Sequence, residues 1–335
     1  MRIAHIRQRL RELGAKPRHE ARILQAWCGG LALDAGPGHP LAHQPPRPLG
    51  DALPALAEEL DSLAVVVAEE PAADGSSRLL LKLADGQAVE SVLLPRDGLC
   101  VSTQAGCAVG CLFCLTGRDG LRRQLGSAEI VAQVVRARQR RTVKKVVFMG
   151  MGEPAHNLDN VLEAIDCLGT AGGIGYKNLV FSTVGDRRVF SRLPRETVKP
   201  ALALSLHTTR PDLRRQLLPH AQAIEPAELV ELAEDYARAT GYPIQYQWTL
   251  LAGVNDTDEE LEGIAHLLAG KYAIMNFILY NTVAGLDFRR PEAARIEAMT
   301  RHLYRRGILA KVRQSAGQDV EGGCGQLRAR LISAP

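Results

Sequence analysis

No run of about 18 apolar residues occurs in the 335-residue chain, which excludes a membrane-spanning helix. The opening stretch, Met1-Arg-Ile-Ala-His-Ile-Arg-Gln-Arg9, lacks the apolar core of a signal peptide. These absences fit a cytoplasmic protein with reduced thiols. Net charge is only +4, too small to establish a nucleic-acid partner. Cysteine is sparse, with seven in the chain, and no two C-x2-C pairs occur of the kind that build tetrahedral zinc sites.

The cysteines that are present are concentrated. Cys107-Ala-Val-Gly-Cys111-Leu-Phe-Cys114 places three thiols at C-x3-C-x2-C spacing, and no further cysteine follows before Cys167. Three thiolates can hold three irons of a cubane iron–sulfur cluster and leave the fourth iron open to a ligand. Zinc and buried core cysteines are the alternatives, and the tight spacing without a second pair favours the cluster.

Length and an ordinary composition, 46% apolar and 23% charged, allow one large α/β domain with a smaller appendage. Residues 1–63 read as a small helical accessory domain. Ile6, Leu10 and Leu13 share a face, Ile23, Leu24 and Trp27 form another apolar cluster, and Leu53 to Leu63 suggests a short third helix. Between them, the proline-rich Gly36–Gly50 stretch reads as a linker. Residues 64–98 hold three short apolar runs separated by Asp74-Gly75 and Asp85-Gly86, the pattern of an antiparallel β-meander. Residues 99–331 alternate strand and helix. Strand candidates recur at Val146–Phe148, Leu179–Ser182, Ala201–Leu206, Ile244–Thr249, Met275–Leu279 and Ile308–Val312. Ser127 is placed as a helix N-cap, Pro226 and Pro291 as helix openers, Gly307 as a helix end, and Thr257 with Glu260 as a capping box. Six such units predict an α/β fold with a partial (βα)6 barrel, its chemistry gathered at the C-terminal strand ends.

Unusual residues fall at those strand ends: Gly150-Met-Gly152-Glu153-Pro154, Ser182, Ser205-Leu206-His207 and Asn281. Singly each is weak, because a serine there is more often a local cap and a lone histidine more often structural. Near the end of the chain, Glu321-Gly-Gly-Cys324-Gly-Gln326 sets a thiol among glycines, as expected of a reactive cysteine on a mobile loop. Cys28 and Cys167 lie in apolar helical surroundings and read as structural. Two basic groups stand out, Arg136 to Lys145 and Arg301 to Arg313, as RNA-facing candidates or as solvated helix faces.

The cysteine triad, the Gly-Glu-Pro loop, Val89-Glu90, Cys100-Val-Ser-Thr-Gln-Ala-Gly-Cys107, Ser205-Leu-His207 and Cys324-Gly-Gln together resemble the radical S-adenosylmethionine (SAM) RNA methyltransferases of the RlmN/Cfr family. The resemblance runs from about Leu63 to Leu331, and the loop Leu115–Leu125 departs from the family pattern. It implies a radical SAM partial barrel in which Cys107, Cys111 and Cys114 hold a 4Fe–4S cluster. Gly152, Glu153, Ser182, Ser205, Leu206, His207 and Asn281 would hold SAM, two molecules being used per turnover. Cys324 would carry a methyl group, a radical formed on it would attack adenine, and Glu90 would remove the ring proton. Cys100 would release the crosslink as a disulfide with Cys324. The expected product is adenosine methylated at C2 in 23S rRNA, in some members also in tRNA. The resistance branch of the family modifies C8 instead. Another radical SAM substrate and a non-catalytic iron–sulfur RNA-binding protein are the competing readings. An electron donor such as flavodoxin or ferredoxin, a monomeric state and no membrane contact complete the expectation.

Overall fold

The computed structural model describes residues 1–33, 45–283 and 285–329. Most of the expected linker, residues 36–44, and the expected boundary at 331 lie outside the described residues. The chain begins with helices α1 (Ile3–Glu12), α2 (Pro17–Cys28) and α3 (Arg47–Ser62). Helix α3 starts earlier than its prolines suggested. Pro48 falls in the first turn, where its missing N–H costs nothing, and Leu49, Leu53, Leu56 and Leu60 make one buried stripe. Packing of that stripe outweighs Pro54 inside the helix.

Strands β1 (Ala64–Pro71), β2 (Ser77–Leu83) and β3 (Ala88–Leu94) form the expected meander. It does not end there. Strand β4 (Gly98–Cys100) pairs antiparallel with β3 and parallel with a later strand, so meander and barrel share one sheet. Next comes a separate two-stranded ribbon, β5 (Gln104–Gly106) with β6 (Leu121–Gln124), whose connecting loop carries all three clustered cysteines. Then α4 (Ser127–Arg138), β7 (Lys145–Phe148), α5 (Leu158–Gly169), β8 (Leu179–Thr183), α6 (Arg187–Arg192) and β9 (Ala201–Ser205) alternate. The series ends with α7 (Pro211–Leu217), α8 (Pro226–Thr240), β10 (Ile244–Leu250), α9 (Asp258–Leu267), β11 (Ala273–Leu279), α10 (Ala293–Arg305) and β12 (Leu309–Arg313).

The ten-stranded sheet runs β1-β2-β3-β4-β7-β8-β9-β10-β11-β12, parallel from β4 onward. Its first and last strands do not pair with each other, so the barrel is open, as expected. One face carries Phe148, Phe181, Tyr246, Trp248 and Phe277 into the core beneath the helices. The register places Glu90, Cys100, Ser182, Ser205, Gln247 and Asn276 on the other face, because directly paired residues and residues two apart share a side. That polar face is where the site must form.

Cap chemistry differs in detail from the sequence reading. Gly126, not Ser127, precedes α4, and the Glu129 carboxylate accepts from the Gly126 N–H at 2.7 Å. The Ser127 hydroxyl instead receives the Ile3 N–H at 2.8 Å and fastens α1 to the barrel. Thr257 caps α9, but the Glu260 carboxylate turns away and accepts the Thr209 N–H at 2.7 Å. Helix α10 begins two residues after Pro291 and is followed by Gly307 at φ 76°.

Candidate radical SAM site

The ribbon β5–β6 presents the cysteine loop at the C-terminal edge of β4. The Cys107 N–H donates to the Gly120 carbonyl at 3.1 Å, closing the loop base. Gly106 sits at φ 79°, and a Cβ there would lie 2.1 Å from the Gly120 carbonyl oxygen, so only glycine permits this closure. All seven cysteines are free thiols. Burial pushes the Cys107 thiol up to about 12, and Glu153 and Cys114 add repulsion. Cys111 and Cys114 are pushed up as well, burial first, with the neighbouring thiols contributing. Among the described residues no three His, Cys, Asp or Glu donors converge on one ion. A cubane asks for something different from zinc, since each thiolate takes its own iron and the cluster charge relieves their mutual repulsion. The donor set fits such a cluster.

Glu153 is 4% exposed. Its carboxylate accepts from the Ala155 and Val184 N–H groups at 3.0 Å each, while its own N–H donates to Gln104 Oε1 at 2.7 Å. Burial raises its pKa to about 7 against those hydrogen bonds. Gly152, at φ 103°, lets this loop close on Gln104, where a Cβ would meet the glutamine at 2.6 Å. His207 adopts φ 62°, rare for a residue with a side chain. Its Nδ1 accepts the Thr249 N–H at 3.0 Å, which puts the proton on Nε2 and makes that nitrogen a donor. Burial, and then Arg214, lower its pKa to about 3, so the ring is neutral. Phe113, between the second and third cluster cysteines, meets the His207 ring edge-on at 4.9 Å. Ser182 and Ser205 stand half-buried on the polar face of the sheet, and the Leu206 N–H donates to the Gln247 carbonyl.

The C-terminal segment closes the site. The Leu115 N–H donates to the Gly325 carbonyl at 2.7 Å, and the Thr116 hydroxyl to the Leu327 carbonyl at 2.7 Å. Asn281 Nδ2 donates to the Cys324 carbonyl at 3.0 Å, so its amide holds the cysteine loop. The glycines flanking Cys324 serve packing more than mobility. A Cβ on Gly323 would lie 2.6 Å from Asn281 Nδ2, and Gly325 takes φ 85° with the Phe113 carbonyl 3.1 Å from such a Cβ. The loop is thus tied down more firmly than its composition suggested, with the Cys324 side exposed. Cys324 lies near enough to Cys100 and Cys114 to raise the pKa of each, after burial.

Glu90, 2% exposed, accepts from Arg78 Nη1 at 2.9 Å and from the Arg328 and Ala329 N–H groups at 2.7 and 3.0 Å. Burial nevertheless raises its pKa. A cleft of about 370 Å³, lined by Gly106, Thr116, Arg122, Met151, Arg328 and Ala329, is bordered by the segment whose N–H groups bond Glu90.

Two residues of the site carried no sequence signal of a role, Arg78 and Arg214, and Gln104 stood in the Cys100–Cys107 stretch without a role of its own. The first basic run is spent internally. Arg136 bonds Ala64 and Asp61, Arg138 bonds the carbonyls of Cys28 and Gly172, Arg140 pairs with Glu69, and Lys144 pairs with Asp97.

An open parallel sheet with a three-thiol loop at its C-terminal edge defines an iron–sulfur enzyme of the partial-barrel type. A model of the Radical SAM superfamily matches residues 101–268. Over 334 residues the chain is 72% identical to a probable RNA methyltransferase of Aromatoleum aromaticum, covering 100% of this chain and 94% of that protein. A second probable RNA methyltransferase, from Azoarcus sp., is 69% identical over 99% of this chain and 95% of its own length. The crystal structure of a radical SAM methyltransferase from Sphaerobacter thermophilus superposes with a TM-score of 0.85 at 34% identity, covering 98% of each chain. The chain belongs to the radical SAM superfamily and, within it, to the RNA methyltransferase family that its motifs resemble. That membership brings a 4Fe–4S cluster and SAM as cofactors. No helix among the described residues is long and apolar enough to cross a membrane.

Proposed function

We propose that the protein methylates an adenosine ring carbon, C2, in 23S ribosomal RNA, by way of a methyl group carried on Cys324. The observation that carries this reading is the docking of the Cys324 loop on the cysteine loop, through Leu115–Gly325 and Thr116–Leu327. A plain SAM-cleaving enzyme needs no exposed thiol at that place. When bound, the cluster and SAM supply a methyl group and a carbon radical, chemistry that protein side chains lack. Cys107, Cys111 and Cys114 hold the cluster. Gly152, Glu153, Ser182, Ser205, Leu206 and His207, at the strand ends, would hold SAM, with the His207 Nε2–H as a donor. Asn281 acts from the other side, fixing the Cys324 backbone.

Glu90 takes the proton from the ring carbon. Burial raises its pKa in the direction a general base at neutral pH requires. Cys100 faces the same side of the sheet; its thiolate attacks the Cys324 sulfur, the bond from that sulfur to the RNA-borne carbon breaks, and the carbon takes a proton to become the methyl group, leaving a Cys100–Cys324 disulfide. The two are separate thiols in this structure. The cleft bordered by Arg328 and Ala329 seats the target nucleotide. Arg305, Lys311 and Arg313 are exposed, as is Tyr304 at 74%, and α10 and β12 thereby offer RNA basic and aromatic side chains. Two SAM molecules per turnover would supply, in turn, the methyl group for Cys324 and the radical. A small electron carrier such as flavodoxin or ferredoxin reduces the cluster, and the protein works as a cytoplasmic monomer.

Mass spectrometry of rRNA and tRNA nucleosides from cells with and without the protein tests this. Loss of 2-methyladenosine from 23S rRNA is expected. A change in 8-methyladenosine would move the activity to C8, and no change in either would remove adenosine as the substrate.

A further inference from the structure

Arg214 is 4% exposed, and every hydrogen bond it makes goes to a backbone carbonyl. Its Nη1 donates to Ser205 at 3.1 Å and to Leu206 at 2.6 Å, and its Nη2 donates to Val184. Among the described residues no carboxylate pairs with it. A buried ion without a counter-charge costs several kcal/mol, and carbonyl bonds return only part of that. Residues that offset such a cost are expected nearby.

They are thiols. Helix α7, which carries Arg214, is fixed to the cysteine loop by the Leu112 N–H donating to the Leu217 carbonyl at 3.0 Å. The His220 N–H donating to the Val109 carbonyl at 3.2 Å adds a second tie. Leu217 and Leu218 pack with Val109 and Phe113, and Cys107 and Cys111 border the same apolar cluster. Cys111, once it is a cluster-bound thiolate, and Glu153, once ionised, are the groups close enough to offset the Arg214 charge. Burial lowers its pKa to about 10, which still leaves it charged at neutral pH.

We propose that Arg214 is a positioning residue that gives the cluster-bearing loop a fixed internal cation and clamps the β8 and β9 strand ends against it. The inference rests on the cluster reading of the three cysteines and is independent of which RNA or ring carbon is modified. A fixed cation beside an anionic cluster favours the reduced state, so removing it shifts the midpoint potential to more negative values.

The test uses anaerobically reconstituted full-length protein without RNA, with iron and sulfide content, the electron paramagnetic resonance signal of the reduced cluster and the midpoint potential as readouts. Arg214→Gln keeps donors for the carbonyls and removes the charge. Arg214→Lys keeps the charge and loses the fork. The glutamine variant is expected to show a more negative potential, and the lysine variant a wild-type one. An unchanged potential in the glutamine variant overturns the proposal, as does an equal shift in both. Where the glutamine variant does not fold, the lysine variant decides. A wild-type potential supports the fixed charge, and a shifted one overturns it. Methylation of RNA enters none of these readouts, so a wrong RNA substrate leaves the result unaffected.

Discussion

The backbone N–H of Ala329 donates to Glu90 Oε2 at 3.0 Å, and that of Arg328 donates to the same oxygen at 2.7 Å. Arg78 holds the other oxygen. Both oxygens of the proposed base are therefore occupied, one of them by the segment that follows Cys324. For Glu90 to reach a substrate ring, residues 328–329 must lift away, and the φ of 46° at Ala329 marks a conformation that alanine leaves readily.

Glu90→Gln is expected to keep the hydrogen bonds that one amide oxygen can accept and to lose the base. Methylated RNA should fall at least about 100-fold, within the usual range for a general base, while reductive cleavage of SAM continues. Liquid chromatography of 5′-deoxyadenosine and of modified nucleosides from one reaction checks both. Methylation near the wild-type rate would remove Glu90 from the chemistry.

Cys324→Ala should assemble a normal cluster, cleave SAM slowly and yield no methylated RNA. Gly323→Ala tests the same loop by shape alone, because its Cβ would press on Asn281 and Gln326. It is expected to displace the Cys324 carbonyl from Asn281 and to lower methylation with iron content unchanged. Iron analysis and nucleoside mass spectrometry read the two effects separately.

The Glu153 carboxyl, with a folded pKa of about 7 against an ordinary 4.5, makes the cluster-free chain sensitive to pH. It holds its proton longer when folded than when unfolded. Its contribution to stability is therefore complete below 4.5 and is lost as pH rises through 7. At about 1.4 kcal/mol per pKa unit the loss is about 3–4 kcal/mol. Denaturant unfolding of the cluster-free protein at pH 5 and pH 8 should show it, and Glu153→Gln should flatten the dependence. Equal slopes in both proteins would place the effect elsewhere.

Thr257→Ala removes the N-cap of α9, whose side chain accepts the Glu260 N–H at 3.3 Å. The bond is long and α9 is partly exposed. A loss of about 1 kcal/mol is expected, read as a lower denaturant midpoint at unchanged slope.

Apolar strands separated by capped helices are strong periodic signals, so the six later strands and most helices were legible in the sequence. The ribbon β5–β6 was not, because Leu121-Arg-Arg-Gln124 is short, polar and held by pairing rather than burial. The start of α3 was obscured by prolines that are harmless in a first turn. In the site, the cysteines and the Gly-Glu-Pro loop announce themselves by spacing. Arg214 could not, since a buried arginine looks like any other until its three carbonyl partners are assembled from β8 and β9. The Arg136–Lys145 run misled in the opposite direction. It could be read as an RNA-facing surface or as a solvated helix face, and is largely consumed in fastening α4 to β1, α2 and the loop at Gly172.

The bonds that tie the C-terminal segment to the cysteine loop and Glu90 join residues 209 to 239 positions apart in the chain. Contacts of such separation carry a large loop-closure cost and form after local ones. During folding, the half of the site that would hold the radical cofactors can take shape while Cys324, the proposed methyl carrier, is still undocked. The last step of folding then also completes the active site, so a partly folded molecule has no place to deliver a methyl group.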